Sequence, residues 1–141
     1  MPIYDLLIKG GHVIDPANNV DTLADVGVAG RVVAAVKPGI DKSEGRRVVD
    51  AAGMYVTPGL IDMHAHHHRD HEGVLPKKNW ESAVYLAYGV TTTLDNSQWS
   101  SNVFPAAELV ESGAVIGPRM YSTGDPIYSG DGSRQNEISI Y

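Results

Sequence analysis

The chain has 141 residues, a formal net charge of -6 from 17 acidic and 11 basic side chains, and no cysteine. Phosphate binding requires a basic face, so this charge argues against a nucleic-acid partner. The absence of cysteine excludes disulfides, thiolate ligands and thiol nucleophiles. No apolar run is long enough to span a bilayer, and residues 1–9 lack the cationic lead of a signal peptide. We therefore expect a cytoplasmic protein with no membrane partner.

Residues 3–56 contain short apolar runs separated by turn residues, a pattern that predicts strands. The predicted strands cover residues 3–9, 12–14, 25–29, 31–36, 47–50 and 54–56. Gly10 and Gly11 separate the first two strands, and Gly30 predicts a hairpin between the third and the fourth. Because no helical period is present, this part of the chain is predicted to be an all-β unit.

From residue 57 onward the pattern changes to alternating strands and helices. Strands are predicted at residues 60–66, 90–94 and 119–123, one helix between Asn79 and Gly89, a second at 103–112, and loops at 67–78 and 124–136. Repeated strand–helix–strand units require right-handed crossovers, so these strands are predicted to form a parallel sheet.

The predicted helices carry recognisable end signals. Asn79 is a good N-cap, Glu81 lies in the first turn where the helix dipole favours an acid, and Gly89 ends the helix. Pro105 is expected in the first turn of the second helix, where its missing N–H is tolerated. One apolar face of the first helix is formed by five side chains at helical spacing: Trp80, Ala83, Val84, Ala87 and Tyr88.

The strand at residues 60–66 ends in histidines. Side chains of a strand alternate between its two faces, so Asp62, His64 and His66 are expected to point the same way. Two neutral imidazoles two residues apart can both reach a single ion, and imidazole is a good ligand for zinc and similar metals. His64 and His66 are therefore predicted metal ligands. Asp62 is predicted either to orient one of them through a hydrogen bond or to bond the loop backbone.

The order Pro-Gly-Leu-Ile-Asp-x-His-x-His, at residues 58–66, resembles the first barrel strand of the amidohydrolase superfamily of metal-dependent hydrolases. Residues 5–16 resemble the small β-sandwich of its dihydroorotase and deacetylase branch, and residues 76–93 resemble a propeller-linked branch. The resemblance implies a mixed fold, with a β-sandwich at residues 1–56 followed, at residues 57–141, by the first βα units of a truncated (β/α)8 TIM-type barrel. It also implies one or two divalent ions, expected to be zinc.

A complete barrel of this type takes about 250 residues. In the family, later strands supply a bridging lysine, two more histidines and a catalytic aspartate, so no catalytic residue is assigned here. We therefore expect the N-terminal portion of an enzyme, inactive by itself, and whether this chain is an enzyme stays open. An exposed parallel strand edge also favours association, so a homo-oligomer or a complementing chain is expected.

Further polar residues are candidates for binding. Asp95 ends a predicted strand and is expected either to contact substrate or to cap a helix or a turn. Arg134 is a candidate for binding a substrate carboxylate. His67, His68 and His71 form a dense cluster that predicts either a solvated active-site loop or a separate metal site.

Two functions follow from these patterns. The first is hydrolysis of C–N bonds in cyclic or linear amides by a metal-activated water, with a small-molecule amide as substrate. The alternative is a non-catalytic scaffold or assembly module that is completed by a partner chain.

Overall fold

The computed structural model describes residues 2–67, 78–129 and 138–140. The chain divides into two compact units, Met1–Pro58 and Gly59–Tyr141. This division lies close to the predicted domains, 1–56 and 57–141, whose assignment as sandwich and barrel stays a prediction. No helix in the described ranges is both long and apolar enough to cross a membrane.

The first unit is built on one mixed sheet. Its strands are β1 (Tyr4–Asp15), β2 (Val20–Ala29), β3 (Val32–Lys37), β4 (Gly45–Asp50) and β5 (Tyr55–Val56), with short 3-10 helices at Pro16–Asn18 and Lys42–Glu44. The sheet order is β3-β2-β1-β4, and β5 also pairs with β1. β2 runs antiparallel to β1 and β3, whereas β4 and β5 run parallel to β1. The described part of this unit therefore contains one sheet, without the second layer of a sandwich.

The first strand differs from its prediction. Gly10 and Gly11 do not separate two strands, because β1 continues through them and its register with β2 shifts between Ile8 and Gly11. Gly10 has φ +71°, which glycine adopts without strain, and the chain uses it to place the irregularity inside the strand. The hairpin predicted at Gly30 is confirmed, since β2 and β3 pair antiparallel on either side of it.

Apolar side chains of the first unit form two small clusters. One cluster contains Tyr4, Leu7 and Ile40, and the other contains Val13, Ala24 and Val26. Gly27 lies directly beneath the Tyr4 ring, because a Cβ at that position would come within 2.6 Å of two ring atoms. The absence of a side chain at Gly27 therefore lets the aromatic ring approach the backbone of β2 closely.

The second unit contains βα units on a parallel sheet. Its elements are β6 (Leu60–Asp62), α1 (Trp80–Ala87), β7 (Val90–Asp95), α2 (Ser100–Glu111), β8 (Arg119–Ser122), β9 (Ile127–Ser129) and β10 (Ile138–Ile140). The order β6-β7-β8 is parallel, as predicted, and β9 pairs with β10 in a separate parallel pair. The prediction of one loop over residues 124–136 is therefore wrong at β9, and residues 130–137 lie outside the described ranges.

The first helix has the predicted cap but not the predicted packing face. Asn79 accepts hydrogen bonds from the N–H groups of Glu81 and Ser82. Trp80 and Tyr88 of the apolar face are 72% and 80% exposed, whereas Ser82 on another face is buried. A Cβ on Gly117 would lie 3.1 Å from the Ser82 Cβ. This close approach needs small residues, so it turns the polar Ser82 inward and the large aromatic residues outward.

The second helix begins three residues before its predicted start. α2 starts at Ser100, so Pro105 lies in the helix interior rather than in the first turn. The earlier start follows from Asp125, whose carboxylate accepts hydrogen bonds from both the N–H and the hydroxyl of Ser100.

A buried carboxylate joins three segments of the first unit. Asp25 is 3% exposed and accepts hydrogen bonds from the Lys9 ammonium and from the N–H groups of Gly10 and Ile40. Lys9 also donates to the Ile40 carbonyl oxygen. Burial disfavours the charged carboxylate, but the hydrogen bonds from Lys9, Gly10 and Ile40 outweigh it, so the pKa of Asp25 lies below its ordinary value.

We expect Asp25→Asn to lower the free energy of unfolding at pH 7 by about 2–4 kcal/mol, because the Lys9 charge loses its partner in a largely buried site. Because the pKa of Asp25 is lower in the folded state than in the unfolded state, the charged carboxylate contributes its full stabilisation above about pH 4. This stabilisation is lost as the pH falls through the pKa of Asp25 in the folded state. The difference between wild type and variant should therefore shrink below about pH 4 in urea titrations. Asp5→Asn is the control, since Asp5 is exposed on the same sheet. A difference that does not change with pH would contradict this account.

Candidate metal site

The two predicted ligands lie in a short segment after β6, residues 62–67, which we call the histidine segment. β6 ends at Asp62 and not at His66 as predicted, because the Asp62 carboxylate accepts the His64 N–H at 3.0 Å. This local hydrogen bond competes with the strand ladder and bends the chain. Of the two roles predicted for Asp62, the structure contains the bond to loop backbone.

The histidine segment stays attached to β7 after the regular pairing ends. The Ala65 N–H donates to the Leu94 carbonyl oxygen at 3.0 Å, and the His67 N–H donates to Asp95 Oδ2 at 3.2 Å. Ala65 is 2% exposed and His67 is 4% exposed. Ala65 and His67 therefore pack inward, whereas His64 and His66 are exposed.

The rings of His64 and His66 lie together. Their centroids are 5.0 Å apart and their planes meet at 84°. A zinc–nitrogen bond of about 2.1 Å places each ring centroid about 3.2 Å from the ion, so two imidazoles at a tetrahedral angle have centroids about 5.2 Å apart. The observed spacing fits two ligands of one ion. The described ranges contain no group of three or more His, Asp, Glu or Cys side chains placed for a metal.

Asp95 lies behind the histidine pair. Its Oδ1 is 3.5 Å from His66 Nδ1, and its side chain is 0% exposed. Its Oδ2 accepts the His67 N–H of the histidine segment, a contact that is neither of the two roles predicted for Asp95. Substrate contact stays a prediction, and Arg134 lies outside the described residues.

His67 was predicted to lie in a solvated loop, and this is wrong. His67 Nε2 is 2.8 Å from the hydroxyl oxygen of buried Thr93, and its ring lies 4.7 Å from the ring of Tyr85. His68 and His71 lie outside the described residues. The sequence contained one relevant signal that the prediction did not use: Thr93 and Asp95 share one face of β7, so both can meet the same neighbouring segment.

Tyr85 borders this buried group from α1. Burial raises the pKa of its phenol, and the nearby charges of Asp62, Glu81 and Asp95 raise it further. The phenol therefore keeps its proton at neutral pH, so it adds no negative charge beside the histidine segment.

The loops that follow β7 and β8 are joined by hydrogen bonds. The Gln98 N–H donates to the Gly124 carbonyl oxygen, and the Ser97 N–H donates to the Thr123 hydroxyl oxygen. The Ser100 hydroxyl and the Ser100 N–H donate to Asp125 and hold the pKa of that carboxyl below its ordinary value. Asp125 therefore links the start of α2 to the loop after β8.

Comparison with known proteins yields partial matches. The chain is similar to the dihydroorotase of Citrifermentans bemidjiense, with 52% identity over 62 residues that make up 44% of this chain and 15% of that protein. It is also similar to adenine deaminase 2 of Rhizobium meliloti, with 43% identity over 100 residues that make up 71% of this chain and 16% of that protein. No protein-family model matches. The matched region spans about one sixth or less of each relative.

Solved structures resemble most of the chain. A Xaa-Pro dipeptidase with bound methionine superimposes with a TM-score of 0.69 and 22% identity, over 88% of this chain and 34% of that one. A prolidase complexed with N-methylphosphonate-L-proline gives a TM-score of 0.64 and 26% identity, over 88% of this chain and 33% of that one. At 22% identity, the likeness to the Xaa-Pro dipeptidase concerns the fold alone.

We expect Asp125→Ala to release the first turn of α2, because the Ser100 N–H and hydroxyl lose their acceptor. Hydrogen exchange should speed up at Ser100 and in the following turn. Asp41→Ala is the matched control, since Asp41 caps the 3-10 helix of the first unit in the same way. Unchanged exchange at Ser100 would contradict the capping role.

Proposed function

The chain belongs to the amidohydrolase superfamily, and we propose that it serves the metal-dependent hydrolysis of C–N bonds, with His64 and His66 as ligands of a divalent ion. Members of this superfamily are generally metal-dependent. The observation that carries the proposal is the 5.0 Å spacing of the two exposed imidazole rings, which suits a shared ion.

Each residue of the site has a proposed task. His64 and His66 bind the ion through neutral ring nitrogens, and zinc is the metal that this donor type favours. The ion, when bound, lowers the pKa of a coordinated water and polarises the carbonyl oxygen of an amide. Asp95 orients the His66 ring, because a carboxylate that meets one ring nitrogen leaves the other for the metal.

Two ligands alone leave a catalytic zinc site short, since such sites normally have three protein ligands. We therefore expect this chain by itself to bind an ion weakly and to hydrolyse no amide. Its substrate is proposed to be a cyclic or linear amide. That class agrees with the similarity of the chain to a dihydroorotase.

A second candidate function is an assembly module that is completed by a second copy or another chain. The supporting observation is the exposure of apolar side chains around the second unit's sheet, where Leu60, Ile61 and Met63 are each more than half exposed. Large apolar side chains that stay exposed in this way are candidates for an association site.

We expect Zn²⁺ to bind the untagged chain in calorimetric titration, and His64→Ala or His66→Ala to weaken that binding at least about tenfold, because each removes a direct ligand. His12→Ala is the control, since His12 pairs with Asp21 in the first unit. The double variant His68→Ala/His71→Ala tests the separate cluster. Loss of binding in that double variant, with no loss in His64→Ala, would overturn the proposed ligands. Amide turnover by the chain alone would overturn the expectation of inactivity.

We expect a mass above that of the 15.1 kDa monomer in light scattering coupled to size exclusion if the assembly function holds. Ile61→Lys places a charge on the exposed apolar surface and should return the mass to that of a monomer. Val36→Lys, an exposed position of the first unit, is the control. A wild-type monomer across the accessible concentration range would count against this function.

A further inference from the structure

We propose that Thr93, His67 and Tyr85 form a positioning cluster that holds the ring of His66 in its metal-binding arrangement. The inference rests on the proposed function, because it concerns the same ion. None of the three residues belongs to the proposed ligand pair. Thr93 lies on β7, His67 lies at the end of the histidine segment, and Tyr85 lies on α1.

The cluster is buried and joins distant parts of the chain. The Thr93 hydroxyl oxygen is 2.8 Å from His67 Nε2, across 26 residues of sequence, and Thr93 is 0% exposed. The His67 ring lies 4.7 Å from the Tyr85 ring, with an angle of 46° between the planes. A buried polar pair of this kind is costly to break, since the remaining partner then lacks its hydrogen bond. The cluster therefore fixes the side chain of His67 in one place.

Because His67 is held in place, the position of its neighbour His66 is constrained as well. The His67 N–H donates to Asp95 Oδ2, and the other oxygen of the same carboxylate faces His66 Nδ1 at 3.5 Å. His66 is thus bounded by its covalent neighbour and by Asp95, although its own side chain is about half exposed. An exposed imidazole otherwise samples several rotamers, and ordering it on binding costs free energy. Because the cluster holds His67, it restricts His66 before the ion binds and so lowers the free energy needed to order the His66 ring.

A purely structural role for Thr93 makes a different prediction. If the hydroxyl only stabilises the second unit, its loss lowers the melting temperature and leaves the coordination of a bound ion unchanged. If it positions the ligands, its loss changes both the affinity and the geometry of the bound ion. Cobalt reports on this geometry, because the visible bands of Co²⁺ depend on the number and arrangement of its ligands.

The test is a titration of the full chain with Co²⁺, followed by visible absorption, in wild type and three variants. Thr93→Val keeps the shape and removes the hydroxyl, Thr93→Ser keeps the hydroxyl, and Thr92→Val makes the same change on the opposite face of β7. Thr92 makes no side-chain hydrogen bond within the described ranges. We expect Thr93→Val to raise the Kd about tenfold and to alter the visible bands, as for other groups that orient metal ligands. Thr93→Ser should restore both, and Thr92→Val should change neither.

Two further results separate this inference from the proposed function. If wild type binds Co²⁺ and Thr93→Val binds it with the same Kd and the same bands, the positioning role is overturned and the metal site stands. If wild type binds no Co²⁺, or if His64→Ala binds as well as wild type, the proposed function is overturned and the positioning role with it. Should Thr93→Val fail to fold by circular dichroism, Tyr85→Leu removes the ring contact instead. It should likewise weaken binding, and unchanged binding in that variant would overturn the role.

Discussion

The candidate site depends on the attachment of the histidine segment to β7. The attachment consists of two backbone N–H donors, from Ala65 and His67, and the ring of His67 on Thr93. The regular ladder between β6 and β7 has already ended at Asp62, and these bonds continue the attachment of the segment beyond it. They alternate with exposed positions, and this alternation leaves His64 and His66 in solvent at a fixed spacing. The positions of His64 and His66 therefore depend on contacts with β7 as well as on the His-x-His sequence itself.

Several local features are correctly predicted from the sequence. Asn79 caps α1, the β2–β3 hairpin turns at Gly30, and the parallel order of the second unit follows from its strand–helix alternation. The extent of β6 was overestimated, because the alternation of apolar and polar residues continues beyond Asp62 while the Asp62 carboxylate bends the backbone. Periodicity indicates that side chains can share a face. It does not reveal a carboxylate that competes for the backbone.

Contacts between distant residues account for the remaining differences. The pairing of His67 with Thr93 spans 26 residues, and the packing of Ser82 near Gly117 spans 35, so no local window contains either. The sequence predicts an apolar stripe along α1, but this stripe is not the side of the helix that packs. The close approach of Gly117 decides that the side with Ser82 packs inward. The sequence predicts one cluster that contains His67, His68 and His71. In the structure His67 is buried, whereas its neighbour His66 is exposed.

The long first strand has a consequence for the order in which the first unit can form. β1 pairs with β2 through a nearby connection, whereas its parallel partners β4 and β5 are joined to it only after the chain has continued to Val56. Pairings that close long stretches of chain are slow, because the entropy of closure is lost before contacts compensate. During synthesis the β1–β2–β3 meander can therefore assemble first, with the other edge of β1 open until residues 45–56 arrive. For that interval, the strand that later organises the sheet is the part of the nascent chain most exposed to mispairing.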